Sequence, residues 1–274
     1  MNKILNDKIK QHVKLSLTED QVRQDSSTKN IDKGNINADI KFREKSIMFG
    51  KLWFEQSFRI IDPKIKFKWY FKDGDLVKKN SLVCTISGDR RCILSCERVA
   101  LNFLQTLSAV SNSAYQLTEK ANKKNIQILY TRKTIPGWRY AIDLACRKHG
   151  CLPHRKNLKE SILIKENHLK CIDNFSQFIH ECRKLNKKII VEANSIAQLK
   201  GILQESGIHR VLLDNFTPNE VRKALRITSK TKIELSGNIN INNIHNYLIP
   251  GVDYISVGSI TKNITATDMT LLVK

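Results

Sequence analysis

The chain has 274 residues, 41% of them hydrophobic, enough for one large domain or two modest ones with a real core. No apolar run is long enough to span a bilayer, and the start, MNKILNDKIKQHVKLSL, is charged throughout, so neither a membrane anchor nor a signal peptide is expected. The net charge of +21 raises nucleic acid as a partner, but the excess is mostly lysine scattered beside Asn and Ile, as in EKANKKNIQI and LNKKII, so the expectation is a solvated surface with no dedicated nucleic-acid function.

In chain order, Ile9, Val13 and Leu17 fall at helical spacing within residues 4–17. A polar stretch then runs to about residue 40 without periodicity, and a loop is predicted there. Ile65, Phe67, Trp69 and Phe71 alternate with lysines and a tyrosine, Asp73-Gly74 makes a turn, and residues 82–86 form a second strand closed by Gly88-Asp89. From Glu97 to about Lys120 a long helix puts Leu101, Leu104 and Leu107 on one face, bridging two domains. Beyond it, short apolar runs at 126–130, 162–164, 189–191, 211–213, 233–235 and 254–257 alternate with amphipathic segments. Pro218, after Asn215-Phe216-Thr217, marks the first turn of one of the intervening helices. That rhythm predicts a β/α barrel or an open parallel sheet.

The seven cysteines, Cys84, Cys92, Cys96, Cys146, Cys151, Cys171 and Cys182, are odd in number, include no C-x-x-C pair and have no histidine at finger spacing. A disulfide framework and structural zinc are therefore not expected, and a reducing cytoplasm is the simplest home. The cysteines and Trp53, Trp69 and Trp138 are read as packing residues.

The polar residues fall at strand ends: Arg132-Lys133 after the first barrel strand, Lys165 after the second, Glu192 closing the third, Asp214 after the fourth, Ser236-Gly237 after the fifth, Gly258-Ser259 after the sixth. In β/α barrels the carboxyl ends of the strands carry the active site. One charge after a strand is usually a solvated loop residue, but six in succession point to a site. Arg132, Lys133, His154, Arg155 and Lys165 suit a polyanion, and the small residues in the two late loops let backbone N–H groups approach a phosphate. Glu192 and Asp214 suit an oxygen-ligated Mg²⁺ on a diphosphate, or a negative wall facing a developing cationic sugar. Their bland alternatives are an ion-pair partner for Glu192 and a helix cap for Asp214. No nucleophile–base triad is visible in the spacing.

The segments CERVALNFLQTLSAVSN (96–112), TRKTIPGWR (131–139), PHRKNLKESILIKENH (153–168), VEANSIAQL (191–199), VLLDNF (211–216), IELSGNI (233–239) and GVDYISVGSITK (251–262) resemble, in order and spacing, the motif series of bacterial quinolinate phosphoribosyltransferases. With GKLWFEQSFRII and DGDLVKKNSL upstream, the resemblance covers nearly the whole chain after about residue 45, and the ordered set is far more specific than any one motif. It implies an α/β fold: an N-terminal α+β, sandwich-like domain over residues 1–112, then an incomplete β/α barrel over 113–274 whose last segment can pack back on the first domain.

The resemblance also implies a reaction: phosphoribosyl pyrophosphate and quinolinate give nicotinate mononucleotide, CO₂ and diphosphate, with Mg²⁺ as cofactor. By it, Arg132, His154 and Arg155 clamp the pyridine carboxylates, where a planar guanidinium offers two parallel hydrogen bonds. Lys133 and Lys165 lie between dicarboxylate and diphosphate. Glu192 and Asp214 serve metal and ribose, and Ser236, Gly237 and Gly258 hold the 5′-phosphate. Arg98 is supplied in trans by the other subunit of a homodimer.

Three departures stand out. His149-Gly150-Cys151-Leu152-Pro153 replaces the family's Gly-Gly-Gly-x-Asn, Tyr130 stands where the family has Asp, and Ile190 replaces the first of two glutamates. Pro-His-Arg is shared with a sister family associated with molybdenum transport, the alternative reading, against which Lys165 and the run 164–168 argue. The alternative from another class is a non-catalytic basic binding protein.

Overall fold

The computed structural model describes residues 3–228 and 230–274; the first two positions of the charged start and of the expected first domain lie outside them. The chain divides into two units, one reaching to Asn112 and including Tyr140–His149 and Ile264–Lys274, the other formed by Ser113–Arg139 and Gly150–Asn263.

In the first unit, helix α1 (Lys3–Glu19) buries Ile9, Val13 and Leu17 along one face, as their spacing requires. The predicted loop up to residue 40 is corrected by strand β1 (Asn35–Phe42). Ile36, Ala38, Ile40 and Phe42 alternate with Asn37, Asp39 and Lys41, the two-residue period of a half-buried strand, and Ala38, Ile40 and Phe42 lie in the core. β2 (Ser46–Ile47) pairs with β4 (Leu76–Val77), while β3 (Lys66–Trp69) and β5 (Leu82–Asp89) join β1. The resulting antiparallel sheet runs β13-β1-β5-β3, where β13 is Met269–Val273 from the far end of the chain. Helix α2 (Lys51–Arg59) sets Phe54 edge-on to Phe58, Phe67 and Trp69.

Helix α3 (Arg90–Asn122) begins ahead of the expected Glu97. Asp89 ends its strand and caps the helix at once, accepting from the Cys92 N–H at 2.9 Å, and Cys92, Ile93 and Cys96 extend the apolar stripe. Helix α4 (Arg139–Arg147) lies, but for Arg139, in the first unit, although the sequence reading assigns it to the second domain. It buries Ala141, Ile142, Ala145 and Cys146, and Lys8 lies 4.5 Å over the Tyr140 ring.

In the second unit, all six expected strands form: β6 (Gln127–Tyr130), β8 (Ile162–Ile164), β9 (Ile189–Ala193), β10 (Ile208–Asp214), β11 (Lys232–Ser236) and β12 (Tyr254–Val257). A two-residue strand that the sequence reading omits, β7 (Leu152–Pro153), adds to β6. The order β7-β6-β12-β11-β10-β9-β8 is parallel throughout and its two ends do not pair with each other, so the barrel stays open. The connecting helices are α5 (Glu166–Leu169), α6 (Phe175–Lys184), α7 (Ile196–Ile202), α8 (Pro218–Ile227) and α9 (Ser259–Lys262). Thr217 caps α8 by accepting from the Glu220 N–H, with Pro218 in the first turn as expected. Asp214 is thereby left out of the capping.

The fold is thus α/β, an α+β N-terminal portion followed by an incomplete β/α barrel. Six cysteines are buried as packing residues, but Cys171 is exposed, so the packing reading fails there. It sits just beyond α5, a single turn of helix with no buried side chain. Among the described residues, no helix is long and apolar enough to cross a membrane.

Candidate active site

Alternate residues of a strand share a face. In the second unit one such series runs Leu163 then Lys165, Ile190 then Glu192, Leu212 then Asp214, Glu234 then Ser236, and Ser256 then Gly258. Leu163, Ile190 and Leu212 form a buried apolar cluster, and the polar residue two places on from each, Lys165 just past the end of β8, Glu192 in β9 and Asp214 in β10, lines the cleft beside it. A cleft of about 360 Å³ opens there, floored by Leu163, Leu212 and Ser256. Its walls bring together eight of the sequence-predicted residues: Arg132, Lys133, His154, Arg155, Lys165, Glu192, Asp214 and Ser236. A second cleft of about 370 Å³ shares Lys133, Asp214 and Ser236 with the first and adds Gly237 and Gly258. Arg98 is exposed on α3 and belongs to the first unit.

One wall of the first cleft is cationic. Arg132 Nε is shut off from water and, among the described residues, has no hydrogen-bond partner. Burial lowers the Arg155 pKa, and repulsion from Arg132 lowers it further. Arg155 donates to the Ser161 carbonyl at 3.5 Å, the long limit of a hydrogen bond. Two guanidinium groups repel each other here and, among the described residues, neither is ion-paired to a carboxylate, an arrangement that an anionic ligand relieves.

The opposite wall is mixed. Lys165 Nζ lies 3.8 Å from Glu192 Oε2. Burial raises the Glu192 pKa, Lys165 opposes the rise, and Asp214 adds to it. Asp214 accepts from the Asn215 side-chain amide at 2.9 Å. The Lys165 main-chain N–H donates to His168 Nδ1 at 3.0 Å, capping α5 and fixing the main chain from which the Lys165 side chain projects.

The second cleft is shaped by backbone. Gly237 has φ +106°, and a Cβ there would come within 2.3 Å of Asn215 Oδ1 and 2.6 Å of Asn215 N, so only glycine fits. Asn215, itself left-handed at φ +57°, donates its N–H to the Ser236 carbonyl at 2.9 Å. At Gly258, with φ −71°, a Cβ would meet nothing nearer than 3.7 Å and would project among Thr131, Lys133 and Lys262, which line that cleft.

Sequence reasoning missed Thr131, Asn215, Arg210 and Glu234. Thr131 Oγ1 accepts from the Lys133 N–H at 3.3 Å and meets Thr261 Oγ1 at 3.3 Å, tying the first strand's loop to α9. Glu234 is fully buried inside the barrel; the available signal was a carboxylate two residues before Ser236, on the same face and within an apolar run. The departures have local explanations. Tyr130 is buried beside Pro153, Ile190 belongs to the apolar cluster under the cleft, and Cys151 is buried with its Sγ 3.2 Å from Thr118 Oγ1.

Two groups of carboxyl oxygens, Glu192 and Asp214, could serve a cation; among the described residues there is no cluster of three or more His, Cys, Asp or Glu. Mg²⁺ is commonly held by one or two carboxylates with substrate phosphates completing its shell, so this pair fits that ion when a diphosphate accompanies it.

Comparison with known proteins gives two family matches, the quinolinate phosphoribosyl transferase N-terminal domain over residues 22–108 and its C-terminal domain over 110–272. A probable nicotinate-nucleotide pyrophosphorylase [carboxylating] of Methanocaldococcus jannaschii is 34% identical over 245 residues, covering 85% of this chain and 84% of that protein. A Bacillus subtilis protein of the same description is 28% identical, covering 86% and 83%. Among solved structures, the nicotinate-nucleotide pyrophosphorylase of Francisella tularensis superposes with a TM-score of 0.91 at 33% identity, covering 98% of this chain and 97% of that one. That of Ehrlichia chaffeensis gives 0.90 at 31%, covering 96% and 97%.

Proposed function

Because the chain belongs to the quinolinate phosphoribosyltransferase family, its activity is phosphoribosyl transfer from phosphoribosyl pyrophosphate to quinolinate with decarboxylation, in NAD biosynthesis, and we propose that its two adjoining clefts divide that reaction between them. The observation that carries the division is the cationic wall. Arg132 and Arg155 face one cleft and, among the described residues, neither is ion-paired to a carboxylate, as a site for a dicarboxylate requires, whereas the glycine-lined cleft has the close backbone a phosphate requires.

In this reading Arg132, His154 and Arg155 hold the pyridine carboxylates. Ser236, Gly237 and Gly258 hold the 5′-phosphate. Lys133, which lines both clefts, and Lys165 bridge the two anions. The pyridine nitrogen forms its bond to C1′ as the C1′–oxygen bond to diphosphate breaks, and the electron pair leaves with diphosphate. Positive charge gathers on the ribose in the transition state, where Glu192 and Asp214 supply the negative wall. The ring nitrogen, now cationic, accepts charge from the C2–carboxylate bond as CO₂ departs, and a proton replaces it at C2. Holding both reactants in one geometry supplies much of the acceleration. Glu192 and Asp214 would also hold Mg²⁺, which, bound with the diphosphate, would neutralise charge on the leaving group.

Arg98 we assign to the cleft of a partner subunit in a homodimer, on the resemblance and on its exposed position on α3. A cytoplasmic setting is supported by the free cysteines. The direct test is incubation of the pure protein with quinolinate, phosphoribosyl pyrophosphate and Mg²⁺. Nicotinate mononucleotide is the expected product; tight binding of the sugar diphosphate without product would favour a ligand other than quinolinate.

A further inference from the structure

Glu234, on β11 beneath the cleft, has no part in the reaction as written, yet it is a fully buried carboxylate in a built environment. Its Oε1 lies 3.3 Å from His154 Nε2 and accepts from the Ser256 hydroxyl. Its Oε2 lies 2.7 Å from Arg210 Nε. Arg210, also buried, donates from a terminal nitrogen to the His154 carbonyl at 3.2 Å and lies 4.9 Å over the Tyr254 ring. His154 Nε2, Arg210 Nε and Glu234 Oε2 are each closed to water and, among the described residues, none makes a hydrogen bond of good geometry, so the approaches of 3.3 Å and 2.7 Å to Glu234 are the polar contacts these nitrogens have.

His154 is therefore gripped at three points: its N–H donates to the Tyr130 carbonyl at 3.0 Å, its carbonyl is held by Arg210, and its ring faces Glu234. An ionised carboxylate only accepts hydrogen bonds, so the nitrogen turned to it carries the proton. That commits Nε2 inward and leaves Nδ1 as the nitrogen for a ligand in the cleft that His154 lines. We propose that Glu234, locked by Arg210, is the positioning residue for His154: it holds the imidazole with Nε2–H turned inward, so that the ring donates from both nitrogens once an anionic carboxylate docks on Nδ1. An imidazole between two acceptors can satisfy both only as imidazolium. The inference rests on the reading that His154 meets the pyridine dicarboxylate.

The test uses Glu234→Gln. A glutamine turns its carbonyl to the stronger donor, Arg210, and its amide N–H to His154, which then accepts at Nε2. Nitrogen-15 NMR of histidine-labelled protein, with the His154 signal identified by its loss in His154→Ala, should show a protonated Nε2 in the resting wild type and protonation of both nitrogens with quinolinate. In Glu234→Gln the proton should move to Nδ1. The variant should raise KM for quinolinate about tenfold to a hundredfold, the range typical of losing an orienting partner, with KM for phosphoribosyl pyrophosphate unchanged. In a His154→Ala background the same substitution should add nothing. An unprotonated Nε2 in the wild type overturns the proposal, and so does a Glu234→Gln effect of equal size with and without His154. The wild-type spectrum needs neither the variant to fold nor turnover to occur. A protonated Nε2 in a protein that makes no nicotinate mononucleotide would therefore uphold the positioning and sink the reaction instead.

Discussion

The Lys165 ammonium lies 3.8 Å from the Glu192 carboxylate, too long for a tight ion pair, and Glu192 has its pKa raised despite that cation. Burial is the leading cause, and Asp214 acts in the same direction. A carboxylate held above its ordinary value costs the native state stability wherever it is ionised. Between the unfolded value, near 4.5, and the raised native one, the native state binds more protons, so stability falls as pH rises through that window and stays reduced above it. Glu192→Gln should therefore melt at a higher temperature than wild type at pH 7, with the difference closing towards pH 4. Its kcat should drop by roughly 100-fold or more if the charge faces the ribose. Equal melting temperatures across that range in a pH series of thermal melts would remove the electrostatic account.

Arg155 is the second case in which a perturbed charge points to a ligand. Its guanidinium is partly buried and repelled by Arg132, and a dicarboxylate would relieve both. Arg155→Ala should weaken quinolinate binding by about 2 to 5 kcal/mol, since it leaves a desolvated carboxylate unpaired. Binding of phosphoribosyl pyrophosphate should change little. Calorimetric titration with each substrate separates the two, and equal losses would reassign Arg155 to the sugar diphosphate.

The two glycines of the second cleft should fail differently. Gly237→Ala puts a Cβ 2.3 Å from Asn215 Oδ1 at a positive φ, so it strains the loop itself and should lower the melting temperature as well as activity. Gly258→Ala has room in the fold and an ordinary φ, so it should melt like wild type yet raise KM for phosphoribosyl pyrophosphate by filling the space of the 5′-phosphate. Wild-type KM in Gly258→Ala would place the phosphate elsewhere.

How far such residues were legible in the sequence depended on where each side chain points. The barrel strands were readable because strands buried on both faces appear as short continuous apolar runs, such as 211–213, each followed by its polar residue. β1 was passed over although Ile36, Ala38, Ile40 and Phe42 alternate with Asn37, Asp39 and Lys41, because the long polar run before it reads as loop and the alternation begins only near the end of that run. β7 is only two residues long and carries no period at all. The cleft residues at strand ends were found by position, but Arg210 and Glu234 sit one layer deeper, where a charge inside a strand looks the same in sequence as one on an outer face. Only their mutual pairing in the barrel interior distinguishes them.

Arg98 is exposed on α3 in the first unit, whereas Lys165, Glu192 and Asp214 line a cleft formed wholly within the second. If two subunits form a closed two-fold dimer, one self-complementary interface supplies Arg98 to both clefts. Arg98→Ala and Lys165→Ala should each be nearly inactive alone, the first through loss of a carboxylate contact and the second through loss of the cation beside Glu192. Unfolded together, refolded and assayed, they distinguish the arrangements. In a mixed dimer with Arg98 acting in trans, one cleft receives both lesions and the other neither, so activity should return, up to roughly a quarter of wild type when half the dimers are mixed and one of each pair of sites is intact. With Arg98 acting in cis, every cleft keeps one lesion and the mixture should be as inactive as its parts. Size-exclusion chromatography of the refolded mixture must show dimer for the comparison to be made, and a dimeric mixture without recovered activity would refute the trans assignment.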